Sequence, residues 1–278
     1  MPFLSLPRLW RPYLWGNLHL ALGAFLCAWA TRAGASGRLL APGALELAIG
    51  LGAASVYGLD RLAGAKPSGP RGDWFLRHRR LMWVWSLAAG VAGMALGVTL
   101  PWAQMAVMGA GGLIAMGYGL KVVQWRGAWQ PLGAFLWARP GLVALAWMLG
   151  TATLPLLAAG VNLASGDALR WQFGRFLLCA ALVIPFDVRD RELDAVRGVS
   201  TLATRFGSGP AFWIARALML GSLGVAVVPR PQAASAIAAA GGLVLLALTH
   251  DRRSALWRLF LVDGVLHLHA LGLLWLAR

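Results

Sequence analysis

The sequence predicts an all-α, polytopic membrane protein, and three observations lead there. Of its 278 residues, 59% are hydrophobic and only 13% are charged, and the mean hydropathy is +0.67. Apolar runs of about 20 residues, the length that crosses bilayer hydrocarbon, recur from one end of the chain to the other. An ordinary soluble globule, with about half its residues apolar and a quarter charged, is excluded. The 35 glycines and 15 tryptophans fit the same class, because small residues let membrane helices approach and tryptophans favour the headgroup layer.

The runs place nine transmembrane helices at 14–31, 39–59, 81–99, 102–120, 132–157, 172–188, 209–228, 232–249 and 256–276. An odd count puts the termini on opposite sides. The N-terminus and alternate connections hold Arg8, Arg11, Arg61, Lys66, Arg71, Arg77, Arg79, Arg80, Lys121, Arg126, Arg189, Arg191, Arg197, Arg205, Arg252, Arg253 and Arg258; the other side holds Arg32, Arg38, Arg170, Arg230 and Arg278. By the positive-inside rule the crowded side is cytoplasmic, so the N-terminus is expected inside and the C-terminus outside. The first run lacks the cleavage site of a signal peptide, and no linker divides the chain, so residues 1–278 read as one domain. Twenty-five basic against 10 acidic residues give a net charge of +15. Charge lying between apolar spans points to anionic lipid heads or an anionic substrate rather than nucleic acid; nothing points to a protein partner. Cys27 and Cys179 lie inside apolar runs without further thiols or histidines at ligand spacing, and read as small core residues.

A carboxylate within a span is costly, so the ten acids are the first functional candidates. Asp60 ends the second span. Asp187, Asp190 and Asp194 end the sixth at spacing i, i+3, i+7, which puts them on one helical face, with Glu192 pointing elsewhere. Three carboxylates on one face repel unless a cation holds them, and hard oxygens with open positions suit Mg²⁺ completed by phosphates and water. The bland alternative is a solvated helix end neutralised by Arg189, Arg191 and Arg197. Against it stands a matching pattern: Tyr57-x-x-Asp60-Arg61 in the second span beside Asp187-x-x-Asp190-Arg191 in the sixth, a weak internal repeat.

The segment IPFDVRDRELDAVRGVSTLATRFG, residues 184–207, closely resembles the second aspartate-rich motif of the UbiA superfamily of intramembrane prenyltransferases. Asp187, Asp190 and Asp194 match its acids, and Gly198, Thr201 and Gly207 its trailing positions. The first motif of that family is degenerate here, since Val56, Tyr57 and Gly64 stand where acids are usual and only Asp60 survives. A Tyr-x-x-Asp-Arg reading is similar to a divergent bacterial branch, as is the stretch 136–155 with Arg139, Trp147, Thr151 and Pro155 in register. The resemblance implies nine helices in a ring around a central cavity. It also implies Mg²⁺ held by Asp60, Asp187, Asp190 and Asp194, with Asp60, Asp190 and Tyr57 as catalytic groups. Diphosphate clamps would be Arg61, Lys66, Arg71, Arg77, Lys121, Arg189, Arg191 and Arg197. Asn17, Tyr118 and Arg139 would line the substrate cavity. The implied activity is Mg²⁺-dependent transfer of an isoprenoid group from its diphosphate to a lipophilic acceptor, as in lipid or quinone biosynthesis. A terpene cyclase or diphosphate lyase of the same family is the alternative, and a non-catalytic isoprenoid-binding protein is a third reading favoured by the eroded first motif. A transporter ranks last, because both acidic clusters fall on one side.

Other polar residues within spans read first as structural. His19 is expected to bond a neighbouring helix, Glu46 to find a partner such as Arg175, and Asp263 and His267, at i, i+4, to bond each other. Arg139 would be expensive facing lipid, so a diphosphate or an aspartate is its expected partner.

Overall fold

A computed structural model describes residues 10–63, 69–119, 121–125, 128–136, 138–196, 198–227, 233–249 and 263–277. In chain order the elements are α1 (Trp10–Trp15), α2 (Leu18–Ser36), α3 (Ala44–Ala63), α4 (Gly69–Arg77), α5 (Arg79–Gly97), α6 (Trp102–Gly119), β1 (Lys121–Trp125) and β2 (Ala128–Pro131). A 3-10 turn (Leu132–Ala134), α7 (Ala138–Met148), a π-helical turn (Leu149–Thr153) and α8 (Leu154–Ala158) follow; then α9 (Gly166–Val196), α10 (Leu202–Phe206), α11 (Ser208–Val227), α12 (Ala233–Leu248) and α13 (Asp263–Leu276). Each expected apolar run overlaps helix among the described residues, with residues 256–262 of the last run lying outside them. Among the described residues, four segments are long and apolar enough to cross a membrane: Arg79–Gly97, Ala138–Ala158, Gly166–Val196 and Ser208–Val227. Ser235–Leu248 and Gly264–Leu276 are shorter apolar helices. The protein is all-α, apart from one two-stranded antiparallel ribbon among the described residues, and multi-pass.

The chain groups into two compact units, residues 1–25 with 42–100 and residues 26–41 with 101–278. In the first, α3 packs along α5, and small residues set the approach. A Cβ on Gly90 would fall 2.7 Å from Ser55 Oγ, and one on Gly93 would fall 3.3 Å from the Gly52 nitrogen. One on Gly58 would overlap the buried Ser86 hydroxyl. Three contacts at successive turns are what close helix packing in lipid requires, where dispersion replaces the hydrophobic drive. Gly58→Ala is accordingly expected to cost about 1–3 kcal/mol by overpacking, whereas Gly52→Ala, whose own Cβ meets nothing within 4 Å, should be close to neutral. Thermal unfolding of both variants in detergent checks this; equal effects would show that the glycines do not set the spacing.

The span expected at 14–31 is interrupted. Asn17 adopts φ 60°, a left-handed conformation that asparagine tolerates better than most residues. It ends α1 and opens α2, its carbonyl accepting from the Leu20 and Ala21 N–H groups at 3.1 and 3.3 Å. At the start of α3, the buried Glu46 reaches back to accept from the Gly43 N–H at 2.7 Å, which satisfies an otherwise orphaned donor.

In the second unit α9 packs between α7 and α11, and α12 bridges α11 and α13. The sixth span, expected at 172–188, is longer at both ends. Ser165 starts it early, its hydroxyl accepting from the Ala168 N–H at 3.3 Å. Its far end runs on through Asp187, Asp190 and Asp194, with Pro185 inside the helix. The span expected to begin at 132 instead starts at Ala138, because β2 runs to Pro131 and the 3-10 turn takes Leu132–Ala134. Val122, Val123, Trp125 and Trp129 supply the β-branched and aromatic residues that favour strand pairing.

Candidate functional site

The end of α9 carries the acids, and a local device fixes that end. Gly198 adopts φ +70°, which only glycine adopts readily, and the Val199 N–H returns to the Asp194 carbonyl at 2.9 Å. That is a helix-terminating turn that satisfies an orphaned carbonyl. Ser200 then donates from its N–H to the Ala134 carbonyl at 3.2 Å, tying the turn to the segment that leads into α7. Thr201, fully buried, caps α10: its hydroxyl accepts from the Thr204 N–H at 3.2 Å while the Thr204 hydroxyl accepts from the Thr201 N–H at 2.7 Å. Gly207 closes α10 at φ +87°. The three trailing positions of the motif are therefore turn and cap residues that hold the acids in place.

At 100° per residue, Asp194 lies about 20° from Asp187 around the helix, and Asp190 about 60° to the side. The structure separates them accordingly. Asp187 and Asp194 are buried, 1% and 3% exposed, and both accept from Arg139 Nη1, at 3.1 and 2.8 Å. Tyr118 stands within electrostatic reach of the same guanidinium, its ring lying where a Cβ on Gly133 would intrude. Asp190 is half-buried and accepts two bonds from Arg189, at 2.7 and 2.6 Å. Arg189 also covers the Phe186 ring, 5.2 Å from its centroid. Glu192 is exposed.

The single cluster of three carboxylates expected from the spacing is divided between two arginines, and among the described residues no three Asp, Glu, His or Cys side chains gather closely enough to hold a metal ion. Two of the expected clamps also have bonds within the protein: Arg189 to Asp190, and Arg191 to the Ser208 hydroxyl at 3.1 Å. The Asp187 carboxylate still fits a cation, because its Oδ2 is buried with no hydrogen-bond partner. An orphaned carboxylate oxygen is costly, and it is the hard ligand that Mg²⁺ takes. With Asp194 beside it, this carboxylate is the structure's candidate for holding the metal.

In the first unit Asp60, Arg61 and Arg77 are exposed, and Arg77 donates to the Asp73 carbonyl at 3.2 Å. The Asn17 side chain, expected to face substrate, is 1% exposed and donates to the Tyr57 carbonyl at 3.2 Å, a bond that joins the start of α2 to α3. Lys66, Gly64 and Arg197 lie outside the described residues, as do the side chains of Arg71, Lys121 and Asp263.

Residues that the sequence did not single out as a group form a second buried polar set. Arg175, 2% exposed, donates to the hydroxyls of Thr151 and Thr31 at 3.2 and 3.3 Å. Thr31 in turn donates to the Thr151 carbonyl at 2.8 Å, one of the carbonyls in the π-helical turn, where the regular ladder is interrupted. Arg139 and Arg175 thus tie α7 with its π turn to α9 at two levels, twelve residues apart on each helix.

No sequence-family model matches this chain, and no curated protein sequence does. Solved structures do. A UbiA homologue from Archaeoglobus fulgidus bound to DMAPP and Mg²⁺ is 14% identical with a TM-score of 0.64, over 96% of this chain and 98% of that one. The A. fulgidus homologue bound to GPP and Mg²⁺ is 15% identical with a TM-score of 0.64, over 94% and 99%. A structure described for digeranylgeranylglyceryl phosphate synthase in membranes is 14% identical with a TM-score of 0.56, over 97% and 98%. Identities this low carry no residue roles, but agreement along nearly the whole of both chains shows that this multi-pass membrane protein has the UbiA fold.

Proposed function

We propose that the protein is a membrane-embedded prenyltransferase, moving an isoprenoid group from its diphosphate to a lipophilic acceptor with Mg²⁺. The observation that carries this reading is the orphaned Oδ2 of Asp187 beside Asp194, held by Arg139 on the helix whose motif resembles the family's, in a fold whose neighbours were solved with DMAPP, GPP and Mg²⁺. Asp187 and Asp194 would hold the metal, and Mg²⁺ bound there would neutralise charge on the leaving diphosphate. Arg139 orients both carboxylates and lends the site a permanent positive charge, which stabilises the anion as the carbon–oxygen bond breaks. Apolar helix faces keep water from the allylic cation until the acceptor attacks.

Asp60 and Tyr57 are proposed to act in the same chemistry, as are Asp190 and the basic residues Arg61, Lys66, Arg71, Arg77, Lys121, Arg189, Arg191 and Arg197. Their effects should be smaller where a bond within the protein already engages the side chain. Residues 1–278 are read as one functional domain in a bacterial-type inner membrane, N-terminus inside.

The test is diphosphate release from a panel of allylic prenyl diphosphates by the protein in lipid nanodiscs, with Mg²⁺ or EDTA. Mg²⁺-dependent release with the prenyl group recovered on an added acceptor is the expected result. Release with a cyclised or eliminated product would move the assignment to a cyclase or lyase. Binding without release from any donor would make the protein a non-catalytic isoprenoid binder.

A further inference from the structure

We infer that Arg139 is a resident cation standing in for one metal ion between Asp187 and Asp194, so that this site takes a single divalent ion. The inference deepens the proposed function and rests on its reading of these carboxylates as a cation site. Its first support is geometric. One nitrogen, Nη1, reaches both carboxylates, at 3.1 Å to Asp187 and 2.8 Å to Asp194. It bridges two acids as a point charge, which differs from the paired fork by which arginine usually grips one carboxylate.

The second support lies in how the carboxylate oxygens are engaged. Asp187 Oδ2 is buried and unpartnered, while Oδ1 is held by Arg139 and the Asp190 carboxylate is gripped by Arg189. Charge decides between the possibilities. Two carboxylates and a guanidinium leave one negative charge, which one dication turns to one positive charge, attractive to a diphosphate. A second dication would have to enter beside the guanidinium, which does not deprotonate.

The experiment uses Mn²⁺ as the probe, titrated into the protein in nanodiscs with and without inorganic diphosphate and read by electron paramagnetic resonance. Wild type is expected to bind one Mn²⁺ per chain. Arg139→Gln, which removes the charge but keeps an N–H donor, should bind a second Mn²⁺ or bind the first about 10-fold more tightly, since a unit charge at this range is worth at least that factor. Arg139→Lys, which keeps a single-point cation, should retain the wild-type stoichiometry. Two Mn²⁺ in wild type would overturn this inference and leave the proposed function standing. So would an Arg139→Gln that unfolds at the wild-type temperature yet binds Mn²⁺ no more and no more tightly. No Mn²⁺ in wild type under either condition would overturn the metal-dependent reading itself. Should Arg139→Gln fail to fold, the wild-type and Arg139→Lys stoichiometries still decide.

Discussion

Asp187→Asn is expected to lower Mg²⁺-dependent diphosphate release by at least about 100-fold, because it removes a buried, unpartnered oxygen that can bind the metal neutralising the leaving group. The substitution is selective. The new side-chain amide keeps a carbonyl oxygen where Oδ1 accepts from Arg139 at 3.1 Å, and it exchanges the unpartnered Oδ2 for an NH₂ group that donates and cannot ligate a cation. Fold and helix packing should therefore survive. Asp190→Asn is the internal comparison. Its carboxylate already takes two bonds from Arg189 and is 33% exposed, so its loss should lower release less than that of Asp187. Both variants are assayed in nanodiscs across an Mg²⁺ titration. An Asp187→Asn protein with wild-type rate and metal dependence would remove this carboxylate from the chemistry.

Arg139→Met should produce the largest stability loss of any single change at the site, about 3–5 kcal/mol, the usual cost of breaking a buried ion pair from one side. Methionine keeps much of the side-chain volume but leaves Asp187 and Asp194, 2% and 5% exposed at their side chains, without this cation. The loss comes from the stranded charges more than from the missing contact. Adding Asp187→Asn and Asp194→Asn to Arg139→Met should therefore restore most of the stability, since replacing a whole buried network with neutral groups is often tolerated. Thermal unfolding of wild type, the single variant and the triple variant in one detergent measures this. A triple variant no more stable than Arg139→Met would show that the guanidinium contributes through packing.

Much of the fold was legible because the signals that carry it are local. Hydropathy over about 20 residues marks helices in lipid wherever they end up in space. The interruption at Asn17 was not legible, because a left-handed φ of 60° is a choice of one residue that its side-chain bond to the Tyr57 carbonyl helps to hold. Neither was the ribbon at residues 121–131, whose strands are too short for periodicity to separate from loop. The π-helical turn at Leu149–Thr153 meets a hydroxyl from Thr31 on another helix, which no pattern within α7 contains.

The candidate site divides in the same way. The sequence by itself determined the membrane class and the helical spacing of Asp187, Asp190 and Asp194, and it marked Gly198, Thr201 and Gly207 by resemblance, because spacing along one helix is a property of the local chain. Only the tertiary structure decided which cation each acid meets. Asp190 is held by its neighbour Arg189, whereas Asp187 and Asp194 depend on Arg139, 48 and 55 residues away in the chain. The energy of a buried charge is set by what other elements bring within about 4 Å of it, and that placement comes from how α7 packs on α9.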